Sequence, residues 1–264
     1  MKKFICLLLA CILVFSLCGC GKNDVVDNKD GTQNVQDTIG SVTSDDNETS
    51  EPESESNIDD EYIENEDIGY KVGDYITFGS YEQDNNLGNG KEDIEWLILD
   101  VHDDKLFVIS KYALDAHPYN TEYVEVTWET CTIRSWLNDE FFYSAFSELE
   151  RENISTVTLN SANPVIDGDP GNDTQDKVFL ISIEESYGYI ELDGFINCIP
   201  TEYAISQGVN DVNLFGGFCW WRLRSHGSNQ AYAAVVYPND GIDCVGKKVS
   251  MDGAIRPAMW IEIA

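Results

Sequence analysis

Ile94-Glu95-Trp96-Leu97-Ile98-Leu99-Asp100-Val101, then His102-Asp103-Asp104-Lys105, then Leu106-Phe107-Val108-Ile109-Ser110, is the stretch that decides the fold. Two runs rich in β-branched and aromatic residues flank a short polar connection, which is the pattern of a β-hairpin. Upstream, Asp74-Tyr75-Ile76-Thr77-Phe78 is strand-like and leads into a Gly/Asn-rich turn at residues 85–90. Downstream the periodicity becomes helical. Thr127 is placed to cap a helix over 128–142, where Trp128, Cys131, Trp136 and Leu137 recur at helical spacing. Ser147 and Glu150 have the spacing of a capping box. After a polar loop at 163–176, residues 178–181 read as a buried strand, Ser182 caps a helix over 183–190, and a further helix over 200–207 is closed by Gly208.

The last 45 residues turn back to strand, at 219–224, 231–237, 242–249 and 254–263, with Gly, Asn, Asp and Ser between the runs. Strands at both ends with helices between them predict an α+β domain with an antiparallel sheet and short helices packed beside it.

Outside this domain, residues 1–19 combine Met1-Lys2-Lys3 with an apolar run from Phe4 to Leu17, as a secretory signal does. The run is shorter than the roughly 20 apolar residues a membrane span requires. It ends in Leu17-Cys18-Gly19-Cys20. This resembles the lipobox of bacterial lipoproteins, which implies lipid attachment at Cys20 and a location on the outer face of the bacterial cell membrane, with Cys18 where Ala or Ser is more usual. Residues 20–69 then carry 16 carboxylates against two lysines. So acidic and apolar-poor a stretch cannot offset its ordering entropy by burial, and it reads as a disordered tether of roughly 40 Å reach.

Residues 70–264 are long enough to hold one core without a metal. The whole chain carries a formal charge of −32, which argues against nucleic acid, whose phosphates call for a basic patch. The domain retains Cys131, Cys198, Cys219 and Cys244. In an exported domain these are either buried thiols or two disulfides in one of three pairings. No CxxC and no Cys/His cluster is present, so no zinc site is expected. His102, His117 and His226 all read as turn residues, and neither HExxH nor GxSxG occurs.

Two features were candidates for ligand binding. Trp220-Trp221-Arg222-Leu223-Arg224-Ser225-His226, echoed by Arg256-Pro257-Ala258, puts rings and guanidinium groups along strands. Exposed, such a strand stacks on sugars or peptides and grips carboxylates; buried, it forms core, with its arginines paired. The loop carrying Asp167, Asp169, Asp173 and Asp176 supplies hard oxygen ligands for Ca²⁺, although Val178 stands where an EF-hand has its glutamate.

Gly73–Gly79, 94–100, 110–115, Trp128-Glu129-Thr130-Cys131-Thr132-Ile133-Arg134-Ser135-Trp136-Leu137, 172–180, the Trp220–Ser225 run and Arg256-Pro257-Ala258 together resemble a domain family of unknown function abundant in clostridia and related Gram-positive bacteria. In that family the tryptophans usually run straight into Leu-Arg-Ser-Pro-Gly, whereas here Arg222 intervenes and His226 replaces the proline. The late strands are similar in layout to the sulfatase-modifying-factor branch of the C-type-lectin-like fold, which implies that architecture. The expected activity is recognition of a surface glycan, cell-wall component or protein. The alternative is a metal- or oxygen-dependent enzyme on the same scaffold, for which Cys219 and Cys244 are the late cysteines, 25 residues apart.

Overall fold

The computed structural model describes residues 69–161, 168–210 and 212–263. The hairpin forms where the sequence puts it: β2 (Glu92–His102) and β3 (Lys105–Ser110) pair antiparallel, with Leu97 opposite Ile109 and Ile98 opposite Val108. Asp103 takes the positive φ (+50°) that the tight turn requires. β1 (Tyr75–Tyr81) adds to the free edge of β2, and β11 (Ala258–Glu262) adds to β3. Ile94, Trp96, Leu97, Ile98 and the run from Leu106 to Ile109 are all buried on both strand faces. This is why the hairpin reads as continuous apolar runs rather than alternating ones.

A second sheet has the order β4 (Asp115–Pro118), β10 (Asp252–Ile255), β7 (Trp221–His226), β8 (Tyr232–Tyr237) and β9 (Gly241–Lys248). All of its pairings are antiparallel except β10 with β7. The single terminal strand expected over 254–263 is in fact two, in different sheets. Pro257 has no N–H to continue a ladder, and Arg256 beside it is fully buried, bonding the carbonyls of Ser110, Phe195 and Gly194. The chain changes sheets at this Arg-Pro step. A small ladder of β5 (Val157–Leu159) and β6 (Thr174–Asp176) completes the strands. Residues 178–181 are buried as expected but form no strand; among the described residues they meet β11 through the isolated Phe179–Ala258 bridge.

The helices are short. The one expected over 128–142 begins later: α1 (Thr132–Trp136) runs through a π-helical turn (Leu137–Phe141) into α2 (Phe142–Ala145). Thr127 instead closes a turn whose carbonyl accepts the amides of Thr130 and Cys131. α3 (Glu148–Glu152) and α4 (Ile183–Tyr187) both open with complete capping boxes, Ser147 with Glu150 and Ser182 with Glu185. α5 (Glu202–Gln207) is capped by Thr201 and ends at Gly208, φ +130°. Among the described residues no helix is long and apolar enough to cross a membrane. The result is a mostly antiparallel, β-rich α+β architecture.

Candidate functional site

The Trp/Arg run lies in the interior. Trp220 is 4% exposed, Trp221, Arg222 and Arg256 are 0%, and Arg224 and His226 are 7%. Trp221 donates its indole N–H to Ile196 O at 3.3 Å. Arg222 bonds the carbonyls of Lys248 and Met251 and lies over the Trp220 ring. Arg224 is gripped by Glu185 and also reaches Leu180 O. The recess beside Arg224, Ser225 and His226 measures only about 20 Å³, room for roughly one water. The expected ligand-binding strand is therefore core. Arg224 and Arg256 are taken up by backbone carbonyls and a capping glutamate, and Arg222 engages two carbonyls through Nη2 alone, with none of the three exposed.

The candidate Ca²⁺ ligands are also largely engaged. Asp167 lies outside the described residues. Asp169 accepts the Gly171 amide at 3.0 Å, and Asp173 accepts the Ser161 amide at 3.1 Å. Asp176 is 2% exposed, with Oδ1 facing Arg134 Nε at 2.7 Å and Oδ2 accepting from Thr174 Oγ1 at 2.6 Å and Trp128 Nε1 at 3.0 Å. A carboxylate so saturated is a structural counter-ion, and it corrects the reading of this residue as a metal ligand. Elsewhere among the described residues, Glu82, Asp84 and Glu92 bring carboxylate oxygens within 4.8 Å of one another. Burial, together with Glu92 and Asp84, raises the Glu82 carboxyl.

The two late cysteines are in different surroundings. Cys219 is fully buried opposite Cys198, and Cys244 is partly exposed against Tyr187.

What the structure assembles instead is a cleft between β4 and the α1–π turn. It encloses about 360 Å³ and is lined by His117, Thr121, Thr132, Trp136, Asp139 and Glu140, among others. That volume is within the range of small-ligand sites. His117 is a strand residue, not a turn residue, and pairs with Gly253 of β10. A Cβ on Gly253 would come 2.5 Å from Trp220 Cη2, so only glycine lets the tryptophan ring pack this closely against β10. The imidazole packs against Trp136, ring centroids 4.0 Å apart, and its Nε2 lies 3.6 Å from Asp115 Oδ2.

Asp115 is 4% exposed and also accepts the Tyr81 hydroxyl at 2.5 Å and the Ala116 amide at 2.7 Å. Burial, with the Asp115 charge behind it, pushes the Tyr81 phenol far above its usual range. The neutral phenol therefore serves as a fixed donor that holds the carboxylate beside His117. Across the cleft the π-helical turn buries Leu137 and Phe141 while presenting Asp139 and Glu140 to solvent. Asn138 pins this turn by accepting the Lys177 amide at 2.9 Å and donating to Val178 O at 2.8 Å. Turns of this kind recur at functional sites because they re-aim side chains within a helix.

Together these features define a two-sheet α+β domain with an acid-lined aromatic cleft at the edge of its second sheet. The chain belongs to the family described as a domain of unknown function, DUF6273, whose profile matches residues 103–263. That span includes β4, the π-helical turn and all of the second sheet. No curated protein and no solved structure matches the chain.

Proposed function

We propose that this domain is a non-covalent recognition module on the outer face of the bacterial cell membrane, tethered by lipid on Cys20, and that its ligand is a glycan of the cell surface. The observation that carries the proposal is the cleft: the half-buried Trp136 ring, with imidazole at its side, facing the exposed carboxylates Asp139 and Glu140. A sugar ring has an apolar face that stacks on indole and hydroxyls that donate to carboxylates, so it fits these walls. A net charge of −32 favours a neutral or cationic ligand over phosphate or nucleic acid. Two sheets with short peripheral helices and a late Arg-Pro-Ala turn support assignment to the C-type-lectin-like class. By that analogy a weakly held Ca²⁺ at the loop of Asp169 and Asp173 belongs to the same reading.

The test is calorimetric titration of the full chain with peptidoglycan fragments and neutral oligosaccharides. Micromolar to millimolar binding is expected, weakened at least about tenfold, or ~1.4 kcal/mol, by Trp136→Ala and by Asp139→Asn with Glu140→Gln. Absence of binding to every glycan, or binding indifferent to these changes, defeats the proposal.

A further inference from the structure

Cys198 and Cys219 oppose each other across an isolated antiparallel bridge, and the Cys219 amide donates to Cys198 O at 2.8 Å. A directly opposed, hydrogen-bonded antiparallel pair holds its Cα atoms about 5.5 Å apart. That separation is within the roughly 4.4–6.8 Å over which a disulfide closes without moving the backbone. Both side chains are fully buried; the Cys219 thiol donates to Cys198 O at 3.5 Å and the Cys198 thiol to Ile199 O at 3.7 Å. The other two cysteines lie in other surroundings and, among the described residues, no isolated bridge opposes them: Cys131 Sγ donates to Trp128 O at 3.2 Å, and Cys244 Sγ lies 3.9 Å from the Tyr187 hydroxyl.

We infer that Cys198 and Cys219 are a disulfide-forming pair, closed by thiol–disulfide exchange with a small-molecule or protein disulfide while the domain folds. Of the three pairings open to four cysteines, the bridge selects this bond and leaves Cys131 and Cys244 as thiols. The thiolate of one cysteine attacks the donor disulfide and releases one donor thiolate. The other cysteine, deprotonated, then attacks the first cysteine's sulfur in the mixed disulfide and releases the second donor thiolate. The two cysteine sulfurs are oxidised by two electrons, the donor is reduced to two thiols, and these take up the two protons.

The bond closes the segment that carries α5. From α5, Tyr203 packs edge-on against Tyr81, centroids 5.8 Å apart, and Tyr81 in turn holds Asp115 at the cleft. The pairing depends on the extracellular reading only for the source of oxidant.

The experiment folds the full chain in a buffer of oxidised and reduced glutathione, alkylates remaining thiols after denaturation, and digests at glutamate without reductant. Cleavage after Glu202 separates the two cysteines unless a disulfide joins them. Peptides bearing Cys198 and Cys219 are expected to remain joined until reduced, in the parent chain and in a Cys131→Ser/Cys244→Ser chain alike, and not in Cys219→Ser. Alkylation of both, or linkage of either to another cysteine, overturns the inference. A pair that closes in glutathione yet is reduced when trapped from cells supports the pairing and tells against export.

Discussion

Arg224 is held by Glu185 through both terminal guanidinium nitrogens, Nη2 donating to Oε1 at 3.0 Å and Nη1 to Oε2, while Oε2 also accepts the Ser182 amide at 2.7 Å. One carboxylate thus caps α4 and neutralises a guanidinium that is 7% exposed. Losing a cap costs about 1 kcal/mol, whereas stranding a buried charge costs roughly 3–5 kcal/mol. Glu185 is itself partly exposed, so Glu185→Ala is expected to lose about 3 kcal/mol. Glu185→Gln, which keeps an acceptor for the cap, is expected to lose clearly less. Urea denaturation of both variants checks this, and a loss of about 1 kcal/mol or under for the alanine variant means the pair contributes no more than a cap.

Gly79 has φ +70°, and its amide donates to Glu150 Oε1 at 3.0 Å. A Cβ there would sit 2.5 Å from Phe146 Cδ1 and 2.7 Å from Ala145 O. Gly79→Ala combines left-handed strain of about 1–2 kcal/mol with overpacking of about 1–3 kcal/mol. A loss of roughly 2–5 kcal/mol in urea is therefore expected. Gly90, also at positive φ but with nothing within 4 Å of its Cβ, separates the two terms. Gly90→Ala should show strain alone, and equal losses at the two positions would remove the packing argument.

The features legible in the sequence are those written locally. The β2–β3 hairpin, the Ser147–Glu150 capping box and the Ser182 cap depend on residues within a few positions of one another, and they appear as read; the Glu185 half of the second box is an addition of the structure. β4 was missed because Asp115-Ala116-His117-Pro118 is short and half polar; its strand character comes from pairing with residues 252–255, far along the chain. The cleft was missed for the same reason, since His117 and Trp136 meet only through that pairing. Asp176 looked like one more carboxylate in an acidic loop, and only folding brings Arg134 and Trp128 to it. The Trp220–Arg224 run left exposed and buried readings open, because a ring-and-guanidinium strand fits either. Backbone carbonyls take most of the guanidinium hydrogen bonds, and no sequence pattern marks a carbonyl.

Arg222 and Arg256 are equally buried but unequally satisfied. Arg256 donates from Nε, Nη1 and Nη2 to three carbonyls. Arg222 engages only Nη2, and its Nε and Nη1 have no hydrogen-bond partner among the described residues. Replacing a poorly satisfied buried charge with an apolar side chain of similar volume is often neutral or stabilising. Arg222→Met is accordingly expected within about 1 kcal/mol of the parent. Arg256→Met leaves three carbonyls unpaired at the sheet crossing and should lose about 3 kcal/mol or more. Thermal melts of the two variants decide it, and the reverse ranking refutes the account.

Alkaline pH should unfold this domain through two buried phenols. Tyr81 is raised by burial and then by Asp115, whose carboxylate accepts its proton at 2.5 Å. Tyr119 is raised well above the usual phenol range by burial first and by Cys131 next, and it donates to Arg224 O at 2.6 Å. A folded-state pKa above the unfolded value means the unfolded chain releases the proton first. The stabilisation is complete below about pH 10 and is lost as pH rises beyond it, by up to roughly 1.4 kcal/mol per pH unit for each phenol. Tyr119→Phe forfeits a hydrogen bond worth about 1 kcal/mol at neutral pH but should flatten the alkaline slope. Tyr81→Phe should flatten it too, and the double variant most. Urea midpoints measured across the alkaline range, with phenolate absorbance followed in parallel, give the comparison. Slopes that match the parent in both single variants would place the alkaline transition on other groups and leave these phenols without the role assigned to them.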